Sequence, residues 1–281
     1  EEKEKFGDDD TFQGGFLIDA YVEKKLRTKY WNRAFFPAFG LPVRVYNESE
    51  FDVPKKEFIK LDTVHAKDYT HGWFQKGTGP CDTFRDRMYQ KLGTNPTNST
   101  GGVRIGVLDR DENRRITRVE KLIKRIRKRH PGSTVARKTF GSEYQLQSRD
   151  DTLRAQAEWF SNQDIIVMAH GAAMTNTFFM RPGTAVLELF PRFYYNEMFW
   201  DLMEQCGIRH DWYYDGEFLH PKKKKDKVVY DRFEASNETQ RNWKKRMSNK
   251  KGNIEYHWED LDKRIDSLVK MLDEDGFLNQ K

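Results

Sequence analysis

His170, Gly171, Ala172, Thr175 and Asn176 fall between two apolar runs in residues 164–190 and Glu188 falls within the second, and this is where the chain's chemistry concentrates. Ile165–Ala169 is expected to form a buried strand that stops at His170-Gly171-Ala172-Ala173, whose small residues let another molecule approach the backbone. A second buried strand is expected over 185–189, after the turn formers Pro182-Gly183. Ligands of open α/β sheets sit beyond the carboxyl ends of such strands, where backbone N–H groups can hold phosphate. His170 is placed to donate to a phosphate or a sugar hydroxyl, with Gly171 and Ala172 as the close-approach backbone. Thr175 and Asn176 stand where the next helix should begin, so capping and ligand contact compete for them. Glu188 is a carboxylate inside an apolar strand, and an unpaired buried carboxylate is costly. It therefore needs a partner, either the two hydroxyls of a nucleotide ribose or a neighbouring arginine.

A second group precedes this one. Arg110, Arg114 and Arg115 follow the apolar strand expected over 103–108 and precede an amphipathic helix. Guanidinium groups there can clamp a diphosphate bidentately, and a helix N-terminus adds positive potential. Arg110 and Arg114 are the better placed of the three. The chain lacks G-x-G-x-x-G, the Walker loop, G-x-S-x-G and H-E-x-x-H, so hydride transfer, P-loop phosphoryl transfer, esterase and zincin chemistry lack their parts. Asp109-Arg110-Asp111 is the nearest approach to a metal-binding carboxylate pair, and the arginine between the acids argues against it. Metal-independent chemistry is expected.

The elements that must hold these residues alternate. Thr117-x-x-Glu120 reads as a capping box before Val119, Leu122, Ile123 and Ile126, an amphipathic helix ended by His130-Pro131-Gly132. A short strand is expected near Thr134-Val135. Ser148 is expected to cap a helix burying Leu153, Ala157 and Phe160. A helix from about Asn196 carries Phe199, Leu202, Met203 and Cys206, with Gly207 as its stop, and Ile208–Tyr214 reads as one more strand. Trp258, Leu261, Ile265, Leu268 and Leu272 mark a final amphipathic helix. This strand–helix alternation indicates an α/β fold with a doubly wound parallel sheet. Residues 93–102 form the clearest linker, dividing the chain into 1–98 and 99–281. Phe84–Leu92 is expected to be helical, but 1–92 otherwise shows no clean period and reads as an incomplete or reduced domain.

Composition sets the outer bounds. The 281 residues are 37% hydrophobic and carry a net charge of +6 from 50 basic and 44 acidic side chains. Charge so mixed favours local binding of anionic ligands over wrapping of nucleic acid. The densest basic run, Lys222–Lys225 with Lys227, reads as a solvated loop. No apolar stretch reaches the roughly 20 residues that span a bilayer. The sequence opens on Glu-Glu-Lys rather than Met, so a signal or anchor upstream is left open. Cys81 and Cys206 form no metal-type pair, and their spacing leaves open whether they are bonded. Glycosylation sequons at Asn47, Asn98 and Asn237 lean towards a secretory lumen.

Taken in order, Val-Leu-Asp-Arg110, Arg114-Arg115-Ile116, Gln156, Asp164 to Asn176, Pro182-Gly183 and Val186-Leu-Glu188-Leu resemble the family 61 glycosyltransferases. That family includes plant β-1,2-xylosyltransferase and O-GlcNAc transferases of the secretory pathway. The resemblance covers residues 99–215 well and the remaining tail loosely. It implies a GT-B-like fold, two Rossmann-like domains facing across a cleft, with 99–281 as the donor domain and 1–98 as part of the acceptor side. It implies inverting transfer of xylose or GlcNAc from a UDP-sugar to a glycan or protein hydroxyl, with no cofactor. Arg110 and Arg114 would then take the diphosphate, His170 with Gly171, Ala172, Thr175 and Asn176 the donor, and Glu188 the ribose. It also implies a Golgi or endoplasmic reticulum lumen, reached by a type II membrane protein if an anchor lies upstream.

The chain departs from the family at Ala173, where glycine is common, and at Arg118, near which asparagine is common. The His/Asp motif of the family's N-terminal domain is not found in residues 1–92. Inverting transfer needs a base within hydrogen-bond reach of the acceptor hydroxyl, and His65, His71 and Asp82 are the candidates. The competing expectation is a non-catalytic or degenerate transferase that acts as a basic glycan- or RNA-binding module.

Overall fold

In the computed structural model the described residues are 16–19, 43–46, 79–94, 96–97, 102–141, 149–214, 244 and 251–276. His65, His71, the sequons at Asn47, Asn98 and Asn237, the basic run at 222–227 and the expected cap Ser148 lie outside them. By its contacts the chain divides into two units, Glu1–Lys67 and Asp68–Lys281. In the first, strands β1 (Phe16–Asp19) and β2 (Val43–Tyr46) pair in parallel.

The second unit is built on a sheet whose central strand, β5 (Ile165–Ala169), is buried at every residue. Its neighbours are β3 (Arg104–Asp109), β4 (Thr134–Thr139), β6 (Ala185–Phe190) and β7 (Arg209–Tyr214), in the order β4-β3-β5-β6-β7. Every pairing is parallel. Continuous apolar runs such as Ile-Ile-Val-Met-Ala suit strands covered on both faces rather than alternating ones. The sheet is Rossmann-like in construction, and its order reverses between β3 and β5. Chain crossovers leave to opposite faces on either side of that gap, so a crevice opens beyond the carboxyl ends of these two strands.

One face is covered by α2 (Val119–Arg129) and α5 (Trp258–Glu274). Leu122, Ile123 and Ile126 of α2, with Leu261, Ile265, Leu268 and Leu272 of α5, bury their side chains against Ile105, Val107, Val167 and Leu187. Each such Leu or Ile, fully buried, contributes about 1.5–3 kcal/mol. Across their outer edges Arg125 pairs with Asp262 and Arg129 with Asp266. The other face carries α3 (Arg149–Ser161), whose Trp159, with Gln163 just after the helix, packs onto β3 where Gly106 has no side chain. A 3-10 helix (Ala172–Phe179) packs on α3, and α1 (Gly79–Leu92) packs on both. The short helix α4 (Trp200–Gln205) then packs on β7, burying Leu202 and Met203. No helix among the described residues is long and apolar enough to cross a membrane.

The expected capping box does not form. Arg118, rather than Thr117, is the residue before α2, in a left-handed conformation and with no side-chain cap. Thr117 turns its hydroxyl to the carbonyl of Ile254, and Glu120 pairs with Arg137. Tertiary partners outcompete the local motif. Cys81 and Cys206, left open by sequence, form a disulfide that ties α1 to the residue following α4. Arg85 reinforces the join by donating to the carbonyls of Phe178 and Cys206.

Candidate functional site

Several of the residues singled out by type meet beyond the carboxyl ends of β3 and β5. At the end of β3, Asp109 turns inward: Ile116 N–H donates to one carboxylate oxygen (2.9 Å) and Arg137 to the other (2.8 Å). This closes residues 110–116 into a fixed loop, so Asp109 serves the loop and is not displayed to a ligand. From the loop, the Arg110 and Arg114 guanidinium groups converge over Gly171, at the end of β5. A Cβ on Gly171 would stand 2.8 Å from Arg114 Nη1 and 3.0 Å from Arg110 Nη1. Gly171 also has a φ of +153°, which side chains rarely adopt. Glycine is needed there for both reasons.

Arg114 donates to the carbonyl of His170 (2.5 Å) and lies over the Tyr194 ring. Arg110 has no ion pair among the described residues and is half-buried. Burial, with Arg110 beside it, lowers the pKa of Arg114 from its ordinary value, and the Tyr194 side chain opposes this. Two like charges held this close repel unless an anion lies between them.

His170 sits beneath this pair, buried against the rings of Phe190, Tyr194 and Phe199. Its Nδ1 meets Glu188 Oε1 at 2.5 Å, and the other carboxylate oxygen meets His210 Nε2 at 2.8 Å. The partner that a buried carboxylate requires is thus a pair of imidazoles. The ring nitrogens occupy both oxygens, the positions a ribose diol or a guanidinium would need. Burial disfavours charge on both His170 and Glu188. It lowers the His170 pKa to about 3, aided by the cations Arg114 and Arg110 and by His210, and it raises that of Glu188 well above the usual carboxylate range. His170 is therefore a neutral hydrogen-bonding group at physiological pH.

Of the remaining candidates, Ala172 is exposed beside Gly171, and Thr175 bonds back to the Ala172 carbonyl (2.7 Å). Asn176 is buried and donates to Gln156 (2.9 Å), while its own carbonyl oxygen has no hydrogen-bond partner among the described residues. Neither residue caps the 3-10 helix. Asp82 is held by Arg85 on α1, within the disulfide-linked join. Arg115 faces a cleft at the start of α2 with Arg118, Lys121, Arg137 and Asn253. The structure thus joins Arg110, Arg114, Gly171, His170 and Glu188, and sets Asn176 one layer deeper, against α3.

Sequence reading missed two things here. His210 was read only as a strand residue, although a histidine beside a strand with a buried acid is a natural partner for it. Residues 253–256, between the polar stretch that ends at Gly252 and the helix expected from Trp258, suggest no element in the sequence, yet they pair with the arginine loop through Ile116 and Ile254. No local pattern marks such a long-range contact.

The model of the family described as Glycosyltransferase 61 matches residues 24–187, more than half of the chain. No curated protein matches the chain. The matched span includes Arg110, Arg114 and His170 and stops just before Glu188.

Proposed function

Because this chain belongs to the Glycosyltransferase 61 family and is a glycosyltransferase, we propose that the crevice between β3 and β5 holds the diphosphate of a UDP-sugar. The observation that carries the reading is the convergence of Arg110 and Arg114 over Gly171. A diphosphate seated there would relieve their mutual repulsion and accept hydrogen bonds from both. Neutral His170 would keep the floor of the site uncharged, with Glu188 and His210 fixing its ring.

The proposed reaction is inverting transfer of xylose or GlcNAc to a glycan or protein hydroxyl, in a GT-B arrangement. The acceptor oxygen attacks the anomeric carbon as the bond to the β-phosphate oxygen breaks, and the electron pair leaves with UDP. The acceptor's proton passes to a base on the N-terminal side, where His65 and His71 remain candidates; Asp82 is a weaker one, being ion-paired. The arginines stabilise charge on the departing diphosphate, a task that needs no divalent metal when fixed cations already converge there. The disulfide Cys81–Cys206 supports residence in an oxidising lumen, the endoplasmic reticulum or Golgi.

The test is protection from thermal unfolding by UDP, measured in EDTA. At a hundred times its Kd, UDP should stabilise the protein by about 2.7 kcal/mol. Arg110→Ala and Arg114→Ala should each remove most of that protection. Protection that needs manganese would overturn metal independence, and protection that survives both substitutions would remove the diphosphate assignment. Salt-sensitive binding to polyanions unaffected by either change would point to a binding module instead.

A further inference from the structure

Among the described residues, Arg114 and Arg118 are two of the three other than glycine with a positive φ, at 59° and 53°. Left-handed backbone is unfavourable for a residue with a side chain, and it persists only where the surroundings over-determine it. The surroundings here come from one distant stretch. Arg114 N–H donates to the carbonyl of Lys251 (3.4 Å), and Arg115 N–H to the side-chain oxygen of Asn253 (3.2 Å). Ile254 N–H donates to the Arg115 carbonyl (2.9 Å), while Thr117 returns both its N–H (3.0 Å) and its hydroxyl (2.8 Å) to the Ile254 carbonyl. At the far end, the Tyr256 hydroxyl donates to the Arg118 carbonyl (3.3 Å), and the Arg118 guanidinium lies over the rings of Tyr256 and Trp258.

We infer that residues 251–256 are a positioning strap that holds the arginine loop in its ligand-ready conformation, with Asn253 as a positioning residue for Arg114. This rests on the reading that Arg110 and Arg114 receive the donor diphosphate. The strap bonds to the backbone at or next to each left-handed residue, and between them it satisfies the loop like an added strand. Its buried side chains, Ile254 and Tyr256, join the core shared by α2 and α5, so the strap is itself fixed. Asn253, by contrast, is exposed and contributes to no core. Its role in the loop can therefore be removed without opening a cavity. None of these strap residues falls within the span matched by the family model.

The full chain with Asn253→Ala is compared with the unaltered protein and with Asn253→Asp, which keeps the accepting oxygen. Calorimetry with UDP should show Kd raised about five- to tenfold in Asn253→Ala, the scale of one lost hydrogen bond, and largely restored in Asn253→Asp. The melting temperature should stay close to that of the unaltered protein. Hydrogen exchange should quicken at the Arg115 and Thr117 amides in Asn253→Ala, with or without UDP. Unchanged affinity with unchanged exchange overturns the strap. Exchange that quickens while affinity holds also overturns it, because the loop would then loosen without consequence for the site. If the unaltered protein binds no UDP, the donor reading fails by itself, and the exchange rates still decide whether Asn253 holds the loop.

Discussion

At the scale of single residues, the structure keeps charge off one histidine. Burial and the neighbouring cations lower the His170 pKa from 6.5 to about 3. Between those values the unfolded chain binds a proton that the folded one does not, so stability falls as pH falls from 6.5 towards 3. The loss from this residue approaches about 1.4 kcal/mol per pH unit. Glu188 acts in the opposite sense above the ordinary carboxylate range, since its raised pKa makes the folded state bind the extra proton. Below about 4.5 that opposition ends and the His170 contribution stands alone. In the folded protein the His170 ring resonances should not move between pH 5 and 8. A titration with a midpoint near 6.5 would show that the ring is solvated and that the trio with Glu188 and His210 is not the sealed unit described.

Elements decide how these residues meet. The reversal of strand order between β3 and β5 puts two loops from opposite crossovers side by side, which is why arginines from one stand over a glycine of the other. Gly106 makes the same point on the sheet's face. A Cβ there would stand 2.8–2.9 Å from Trp159 and Gln163, so α3 is seated directly on β3. Gly106→Val should destabilise the protein by about 1–3 kcal/mol in urea unfolding, because a packed ring and helix must shift to admit it. A change under 0.5 kcal/mol would mean that α3 is more loosely seated than the contact implies.

The elements themselves were largely legible in the sequence. The apolar run at 165–169 and the i, i+3, i+4 stripes of α2 and α5 report burial directly, since a buried face must be apolar wherever it lies. The capping box at Thr117 misled because Ile254 offers Thr117 a better partner across the chain. The partners of Glu188 stayed out of reach for a like reason, since His210 lies on the next strand and only register brings it near.

For the whole molecule, the disulfide Cys81–Cys206 spans 125 residues and, within the unit Asp68–Lys281, ties α1 to the end of α4. Closing so long a loop restricts the unfolded chain by about 5 kcal/mol in the chain-entropy account. Replacing both cysteines by serine should lower the melting temperature by roughly 10–20 °C, with UDP protection retained by the molecules that remain folded. An unchanged melting temperature would show that Arg85 and the packing of α1 suffice alone.

By itself the sequence determined that a parallel α/β sheet would form, which segments would be its main strands and helices, and that Arg110, Arg114, His170 and Glu188 would stand in or just beyond those strands. Hydrophobic period and residue type are local properties, and they survive being read along a line. Only the tertiary structure decided that Glu188 lies between two imidazoles, that both arginines share the space over Gly171, that the cysteines are joined, and that residues 251–256 brace the loop. Those facts depend on strand order and on contacts between distant segments, which a chain acquires only when its apolar faces close on one another.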